Sequence, residues 1–203
     1  MSALQQTYYT PEQYLEMDRK AELRSEYVNG EILAMAGASR VHNRITLNAG
    51  SMLTALLRGS PCEPFTNDLR VAVSPTRYAY PDVVVACGGP QFIDGQLDTL
   101  LNPTVIMEVL SPTTAGDDRS WKFAHYRRLE TLSDYVMLSQ FQPFIEHYTR
   151  QETQWVLTEV AGLDAVLRLT SIGCDLPLTA IYERVEFVLD PEMPALEFWK
   201  ETQ

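Results

Sequence analysis

Apolar residues in this chain gather in short runs, and two runs are apolar at almost every position: residues 80–86 and residues 104–110. Continuous apolar runs of that length predict strands covered on both faces. Each contains a single acid, Asp82 in the first and Glu108 in the second. Successive side chains of a strand point to opposite faces, so Asp82 shares a face with Val84 and Ala86, and Glu108 with Ile106 and Leu110. After the second run the period changes. Lys122, Tyr126 and Leu129 fall at i, i+4 and i+7, with Phe123 beside them. The segment opens on Asp117-Asp118, acids that the helix dipole favours in a first turn. That pattern predicts a helix in which Lys122 takes a place on the inward stripe.

Upstream, Thr10-Pro11-Glu12-Gln13 has the form of a capping box with proline in the first turn. It predicts a helix with Tyr14, Leu15 and Met17 on its apolar side. Residues 27–36 read as a hairpin turning at Asn29-Gly30. Ser39 predicts the cap of a longer helix running to about Arg58, buried through Ile45, Leu47, Met52, Leu53, Leu56 and Leu57. Gly59-Ser60-Pro61 ends it. Short strands follow at 62–65 and 68–73, the second alternating Leu69, Val71 and Val73 against Arg70 and Ala72. Cys87-Gly88-Gly89-Pro90 opens a polar loop to Thr99 that lacks the Gly-Lys-Ser/Thr of a phosphate-binding loop. Four short strands, 134–138, 143–148, 153–158 and 165–169, predict an antiparallel extension of the sheet. Residues 177–185 read as a short final helix. Residues 190–194 have the composition of a linker, after which Phe198 and Trp199 are expected to pack on a partner subunit.

With 203 residues and no internal repeat, the chain is expected to form one domain over 8–188, followed by a tail, 189–203. No run approaches the roughly 18 apolar residues of a membrane span. The first residues, Met1-Ser2-Ala3-Leu4-Gln5-Gln6, lack the basic and apolar regions of a signal peptide, so a cytoplasmic location is expected. Cys62, Cys87 and Cys174 are odd in number and far apart; they fit reduced core thiols better than disulfides or a zinc site. The formal net charge of −11, from 16 basic and 27 acidic residues, argues against a protein that coats DNA nonspecifically. The basic residues gather at Arg40 and Arg44 and at Arg119, Lys122, Arg127 and Arg128. They form either a basic rim for a phosphodiester substrate or ordinary solvated helix faces.

A carboxylate inside an apolar strand is costly unless it is paired, hydrogen-bonded or bound to a cation. Two of them in neighbouring segments point to a divalent metal. Lys122 can meet them from the helix, since lysine is almost never buried without a partner. Structural ion pairs, with Lys122 snorkelling to water, give the same pattern. His42 lies in the first turn of the helix capped by Ser39, where a charged imidazole is disfavoured. It is expected to be neutral, either as a substrate contact or as a hydrogen-bonded structural residue. Ser111, in the polar loop after Glu108, has a hydroxyl able to hold a metal-bound water or a phosphate, although loops favour such residues anyway.

Pro81-Asp82 and Glu108-Val109-Leu110 resemble the proline-aspartate and acid-x-lysine signature of the restriction-endonuclease-like nuclease superfamily. A longer resemblance, over roughly residues 10–185, is to the bacterial Uma-two family of endonucleases. It is carried by EYVNGEILAMAGASRVHNRI, YPDVVVAC, NPTVIMEVLSPTT and DDRSWKFAHYRRLETLSDYVMLSQ, and most specifically by residues 102–140. The lysine of the superfamily signature belongs two residues after Glu108, where this chain has Leu110. In this family it is moved to the following helix, where Lys122 stands. The resemblance implies an α/β fold with a mixed central β-sheet flanked by helices and an antiparallel strand extension. It implies a DNA endonuclease with Asp82, Glu108 and Lys122 as catalytic residues. Mg²⁺ or Mn²⁺ would be held by Asp82, Glu108 and the carbonyl of Val109. Glu31, in the Gly-Glu-Ile motif, either completes that shell or forms a salt bridge to an arginine. His42, Arg44, Ser111 and Arg119 are then candidate contacts to DNA, and a homodimer would bring one site to each strand. A non-catalytic nucleic-acid-binding or assembly protein of the same fold stays open as the alternative, favoured by the acidic balance and the displaced lysine.

Overall fold

The computed structural model describes residues 7–35, 37–111 and 115–187, so the predicted tail with Phe198 and Trp199 lies outside the described residues. The capping box forms as the sequence predicts. Thr10 Oγ1 accepts from the Gln13 amide and Gln13 Oε1 accepts from the Thr10 amide, with Pro11 opening α1 (Pro11–Lys20). β1 (Ser25–Val28) and β2 (Glu31–Ala34) turn at Asn29-Gly30, both at positive φ, 50° and 99°. Asparagine and glycine tolerate that geometry, which matches the twist of the paired strands.

The hairpin belongs to a five-stranded sheet of order β2-β1-β5-β4-β7, completed by β4 (Arg70–Ser74), β5 (Arg77–Ala79) and β7 (Thr99–Leu100). β5 and β7 were not expected from the pattern, because three and two residues are too few to display a period.

The larger sheet has six strands in the order β11-β10-β9-β8-β6-β3. They are β3 (Cys62–Thr66), β6 (Val83–Cys87), β8 (Pro103–Leu110), β9 (Asp134–Ser139), β10 (Phe144–Gln151) and β11 (Gln154–Ala161). The two apolar runs are adjacent and antiparallel, with Val83 opposite Met107 and Val85 opposite Val105. Both are covered on both faces, as the sequence predicts. On one face, Ile45, Ala49 and Leu53 of α2 (Arg40–Leu56) pack against Val83, Val85, Val105 and Met107. On the other, Val84, Ala86, Ile106 and Leu110 pack against Val71, Val73, Leu100 and Tyr126. Each buried valine, leucine, isoleucine or methionine among them contributes about 1.5–3 kcal/mol, which fixes the two strands firmly in place.

Five expectations are corrected. β9 runs parallel to β8, so only β10 and β11 extend the sheet in antiparallel fashion. β12 (Val166–Leu169) leaves the sheet to pair with β13 (Cys174–Pro177), and the final helix is shortened to α5 (Leu178–Ile181). Parallel neighbours need a crossover, and the segment between β8 and β9 provides it. The crossover is not one helix to Leu129 but α3 (Ala115–Asp117), a π-helical turn (Asp118–Lys122) and α4 (Phe123–Tyr126). Finally, Cys62 and Cys87 form a disulfide, and only Cys174 is free. The two cysteines stand directly opposite each other in the β3–β6 register, a proximity that their 25-residue separation conceals. Among the described residues no helix is long and apolar enough to cross a membrane.

Candidate active site

Asp82 sits immediately before β6, at the end of the sheet where β8 finishes. Continuing the Val83–Met107 register by one residue sets Asp82 against Glu108. Asp82 Oδ2 accepts the Val109 amide at 2.7 Å and lies 3.2 Å from His42 Nε2. In an extended strand a residue's amide and carbonyl point to the same edge, so the Val109 carbonyl also faces Asp82.

Glu108 is 4 % exposed. Its Oε1 accepts from the Tyr126 hydroxyl at 3.2 Å and from Lys122 Nζ at 3.3 Å. Burial pushes its carboxyl well above the usual range. Lys122 acts in the opposite direction, and the carboxylates of Asp118, Asp82 and Glu26 raise it further. Lys122 is nearly enclosed, 7 % exposed, with Nζ 3.0 Å from Asp118 and 3.3 Å from Glu26. Burial alone would lower its pKa, but Glu108, Glu26 and Asp118 outweigh that and raise it. The amine therefore stays an ammonium. Asp118, Lys122 and Tyr126, four residues apart, come down one side of the crossover and are all buried. The crossover's π-helical turn, a rare widening often found at functional sites, spans Asp118 and Lys122.

Glu26, His42, Asp82, Glu108, Val109 and Lys122 line a cleft of about 800 Å³ together with Ser111, Trp121 and Phe141. Of the residues predicted from sequence, Asp82, Glu108, Val109, Lys122, His42 and Ser111 are brought together there. Glu31, Arg44 and Arg119 are not among the lining residues. Arg119 is bound instead to Glu146, with Nε 2.8 Å from Oε1, and Arg40 is paired with Glu186. Of the predicted basic residues, Lys122 is the one among the residues lining the cleft. Glu31 shares a face of the hairpin with Glu26 but stands two residue pairs nearer the turn, opposite Val28. Glu26 reaches the cleft in its place. The signal was present: Tyr27 faces Tyr14 in the core, so its strand neighbour Glu26 must face the other way. Asp118 was read only as a helix-start acid, yet it is 1 % exposed and paired with Lys122.

A second buried network lies beneath. Asp18 Oδ1 accepts the Ser25 amide and hydroxyl, each at 3.0 Å. Its Oδ2 pairs with Arg70 Nη2 at 2.7 Å and accepts from the Tyr80 hydroxyl. Arg70 also donates to Thr99 Oγ1 at 2.6 Å. Burial acts to raise the Asp18 carboxyl, but the hydrogen bonds from Tyr80, Arg70 and Ser25 hold it below the usual range. Ser25 precedes Glu26 and Tyr80 is two residues before Asp82, so this network joins the segment of Glu26 to that of Asp82.

The donor chemistry suits a hard divalent ion. Three carboxyl groups, of Glu26, Glu108 and Asp118, face one ammonium, and the Asp82 carboxylate adds its charge beside Glu108. Among the described residues no group of three or more His, Cys, Asp or Glu side chains is placed to hold a metal ion. An incomplete protein shell is what Mg²⁺ uses when water and a substrate phosphate supply its remaining oxygens.

The model of the Uma2 family, described as putative restriction endonuclease, matches residues 11–179. The uncharacterized protein sll1609 of Synechocystis sp. is 37% identical over 163 residues, 79% of this chain and 92% of that protein. The uncharacterized protein slr1290 of the same organism is 32% identical over 180 residues, 88% of this chain and 93% of that protein. The crystal structure of a putative nuclease belonging to DUF820 from Anabaena variabilis superposes with a TM-score of 0.72 at 16% identity. That match covers 86% of this chain and 97% of the other, and at such identity it speaks for the fold.

Proposed function

The chain belongs to the Uma2 family of putative restriction endonucleases, and from that premise we propose that it is a divalent-metal-dependent endonuclease that hydrolyses DNA phosphodiester bonds. The observation that carries this reading is the meeting of Asp82, Glu108 and Lys122 at one end of adjacent strands, with Lys122 Nζ 3.3 Å from Glu108. Asp82, Glu108 and the Val109 carbonyl are the residues that would hold Mg²⁺ or Mn²⁺. When bound, such an ion polarises the scissile phosphate and lowers the pKa of a coordinated water.

The chain's own residues do the remaining work. The Val109 amide fixes the Asp82 carboxylate, and the Tyr126 hydroxyl fixes Glu108. Lys122, held charged by three carboxylates, places a positive group where negative charge grows on the phosphoryl oxygens. Burial of Glu108 and Lys122 limits competing water and strengthens each of these interactions. A homodimer would present two such clefts, one for each strand of a duplex.

The alternative, a non-catalytic nucleic-acid-binding or assembly protein, has one observation in its favour: Arg119, a candidate contact to DNA, is paired with Glu146, and Arg40 of the basic cluster with Glu186. Plasmid cleavage with Mg²⁺ or Mn²⁺ separates the two readings. Cleavage by the wild type that is lost in both Asp82→Ala and Glu108→Ala supports the enzyme. Cleavage unchanged in both variants rules out this site, and no cleavage by the wild type with either ion favours the non-catalytic protein.

A further inference from the structure

Resting on the reading of this cleft as a nuclease site, we propose that its substrate is an unpaired DNA strand, held by base stacking on Trp121 and Phe141, and not a duplex tracked along its phosphates. Both rings line the cleft and both are half-buried. Trp121 immediately precedes Lys122 in the π-helical turn. Phe141 follows the end of β9, which runs parallel to β8, so it stands at the end of the sheet where Glu108 and Ser111 lie. Its segment is pinned. Gln140 Nε2 donates to the Leu110 carbonyl at 2.8 Å, and Gln140 Oε1 accepts from Ser39 Oγ at 2.9 Å. The Phe141 amide donates to Ser139 Oγ at 3.2 Å.

Core packing does not account for either ring. Among the described residues neither belongs to any of the three apolar clusters that make the core. The ring contact that Trp121 makes is edge-on to His125, four residues along its own crossover. Phe123 shows the contrast: it stacks on Tyr135 and packs against Tyr148 and Trp155. β2 and the residue after it add Leu33 and Met35 to the cleft lining, 40 % and 44 % exposed. Large apolar side chains gathered at a cleft mark a binding surface. Flat ones suit nucleobases, since every base has a π-face to stack.

The charges point the same way. A protein that follows a duplex needs cations spaced along its phosphates. Among the residues lining the cleft Lys122 is the one lysine or arginine, and it is already paired with Glu26, Glu108 and Asp118. The same lining carries the carboxyl groups of Glu26, Asp68, Asp82, Glu108 and Asp117. Such a surface leaves the phosphates beyond the reacting one without a protein cation, so affinity has to come from the bases. Base faces are open to side chains only where a strand is unpaired. A supercoiled plasmid stays a substrate through the stretches that supercoiling opens, whereas a relaxed blunt duplex does not.

Fluorescence anisotropy with the full chain and Mg²⁺ tests this on three labelled probes: a short single strand, the same sequence as a blunt duplex, and an abasic strand of the same length. All carry phosphorothioate linkages to slow hydrolysis. The single strand is expected to bind about tenfold or more tightly than either of the others. Its log affinity should fall against log salt concentration with a slope of about −0.7 to −1.4, that of one or two phosphate contacts. Trp121→Ala and Phe141→Ala should each weaken its binding about 5- to 150-fold, and Trp121→Phe, which keeps a ring, should retain most of the affinity. Alanine variants that bind as the wild type does overturn the proposal. So does a duplex or an abasic strand bound as tightly as the single strand, or a slope steeper than about −4. Those wild-type comparisons stand even if a variant does not fold. Wild type that binds none of the probes also overturns it, and leaves the apolar lining to a protein partner. Cleavage of the same probes without phosphorothioate separates this proposal from the reading it rests on. Single-strand preference in binding with no probe cleaved removes the nuclease and keeps the strand-binding site. Equal cleavage of single strand and relaxed duplex keeps the nuclease and removes the preference.

Discussion

Replacing Lys122 by methionine removes a charge while keeping most of the side-chain volume. It leaves Glu26, Glu108 and Asp118 facing one another with no cation among them. The amine they lose is 7 % exposed and lies 3.0–3.3 Å from all three, so water does little to screen the contacts. Removing one partner of a buried ion pair costs about 3–5 kcal/mol. Part of that is offset here, because burial already pushes Glu108 towards its neutral form and protonation relieves some of the repulsion. The lower end, about 3 kcal/mol near neutral pH, is the expected loss. At about 2–4 °C per kcal/mol for a domain of this size, Tm falls by roughly 6–12 °C. Urea and thermal denaturation followed by circular dichroism measure it directly. Adding Glu108→Gln to Lys122→Met removes one of the repelling acids and is expected to recover part of the loss. A Lys122→Met protein within about 0.5 kcal/mol of wild type would refute the reasoning, since that is the range of an ordinary surface change. So would a double variant no more stable than the single one.

Three further outcomes are expected. Arg70→Met strands the Asp18 carboxylate beside Tyr80 and should cost about 3–5 kcal/mol in urea denaturation; Arg70→Lys should restore only part, since an ammonium lacks the fork that meets Asp18, Tyr80 and Thr99 together. Hydrogen bonds from Arg19, acting against partial burial, hold Asp98 at about 2. Its folded pKa is depressed, so its contribution is full above the unfolded value of about 4 and is lost as pH falls towards 2. The stability difference between wild type and Asp98→Asn should therefore shrink as pH is lowered from 6 to 2, and a constant difference would contradict the ion pair. Unfolded, unreduced protein should titrate one thiol, Cys174, and reduced protein three; three thiols without reduction would refute the Cys62–Cys87 bond.

What could be read in the sequence divides along physical lines. Thr10 with Gln13 and Asn29 with Gly30 are local devices, complete within four residues, and both form as expected. The continuous apolar runs around Asp82 and Glu108 gave the central strands because burial on both faces leaves that trace. Register between distant strands leaves none. It decides that Cys62 meets Cys87, and that Glu26 rather than Glu31 reaches Lys122. The buried Arg70 is the plainest case. It sits in a strand where alternation assigned it to the polar side, and only the fold reveals that Asp18, 52 residues earlier, waits there for it. The break of the crossover into a π-helical turn was equally hidden, because Lys122 and Tyr126 keep helical spacing either way.

A crystal of the wild-type protein soaked in Mn²⁺ carries the anomalous signal of the ion itself. One anomalous peak is expected in the cleft, within about 2.3 Å of a carboxylate oxygen of Asp82 and of one of Glu108, with Lys122 still against Glu108. Saturating Mn²⁺ that leaves Asp82 and Glu108 without a peak between them, or places the ion only elsewhere on the surface, would contradict the reading of this cleft as a metal-dependent nuclease site.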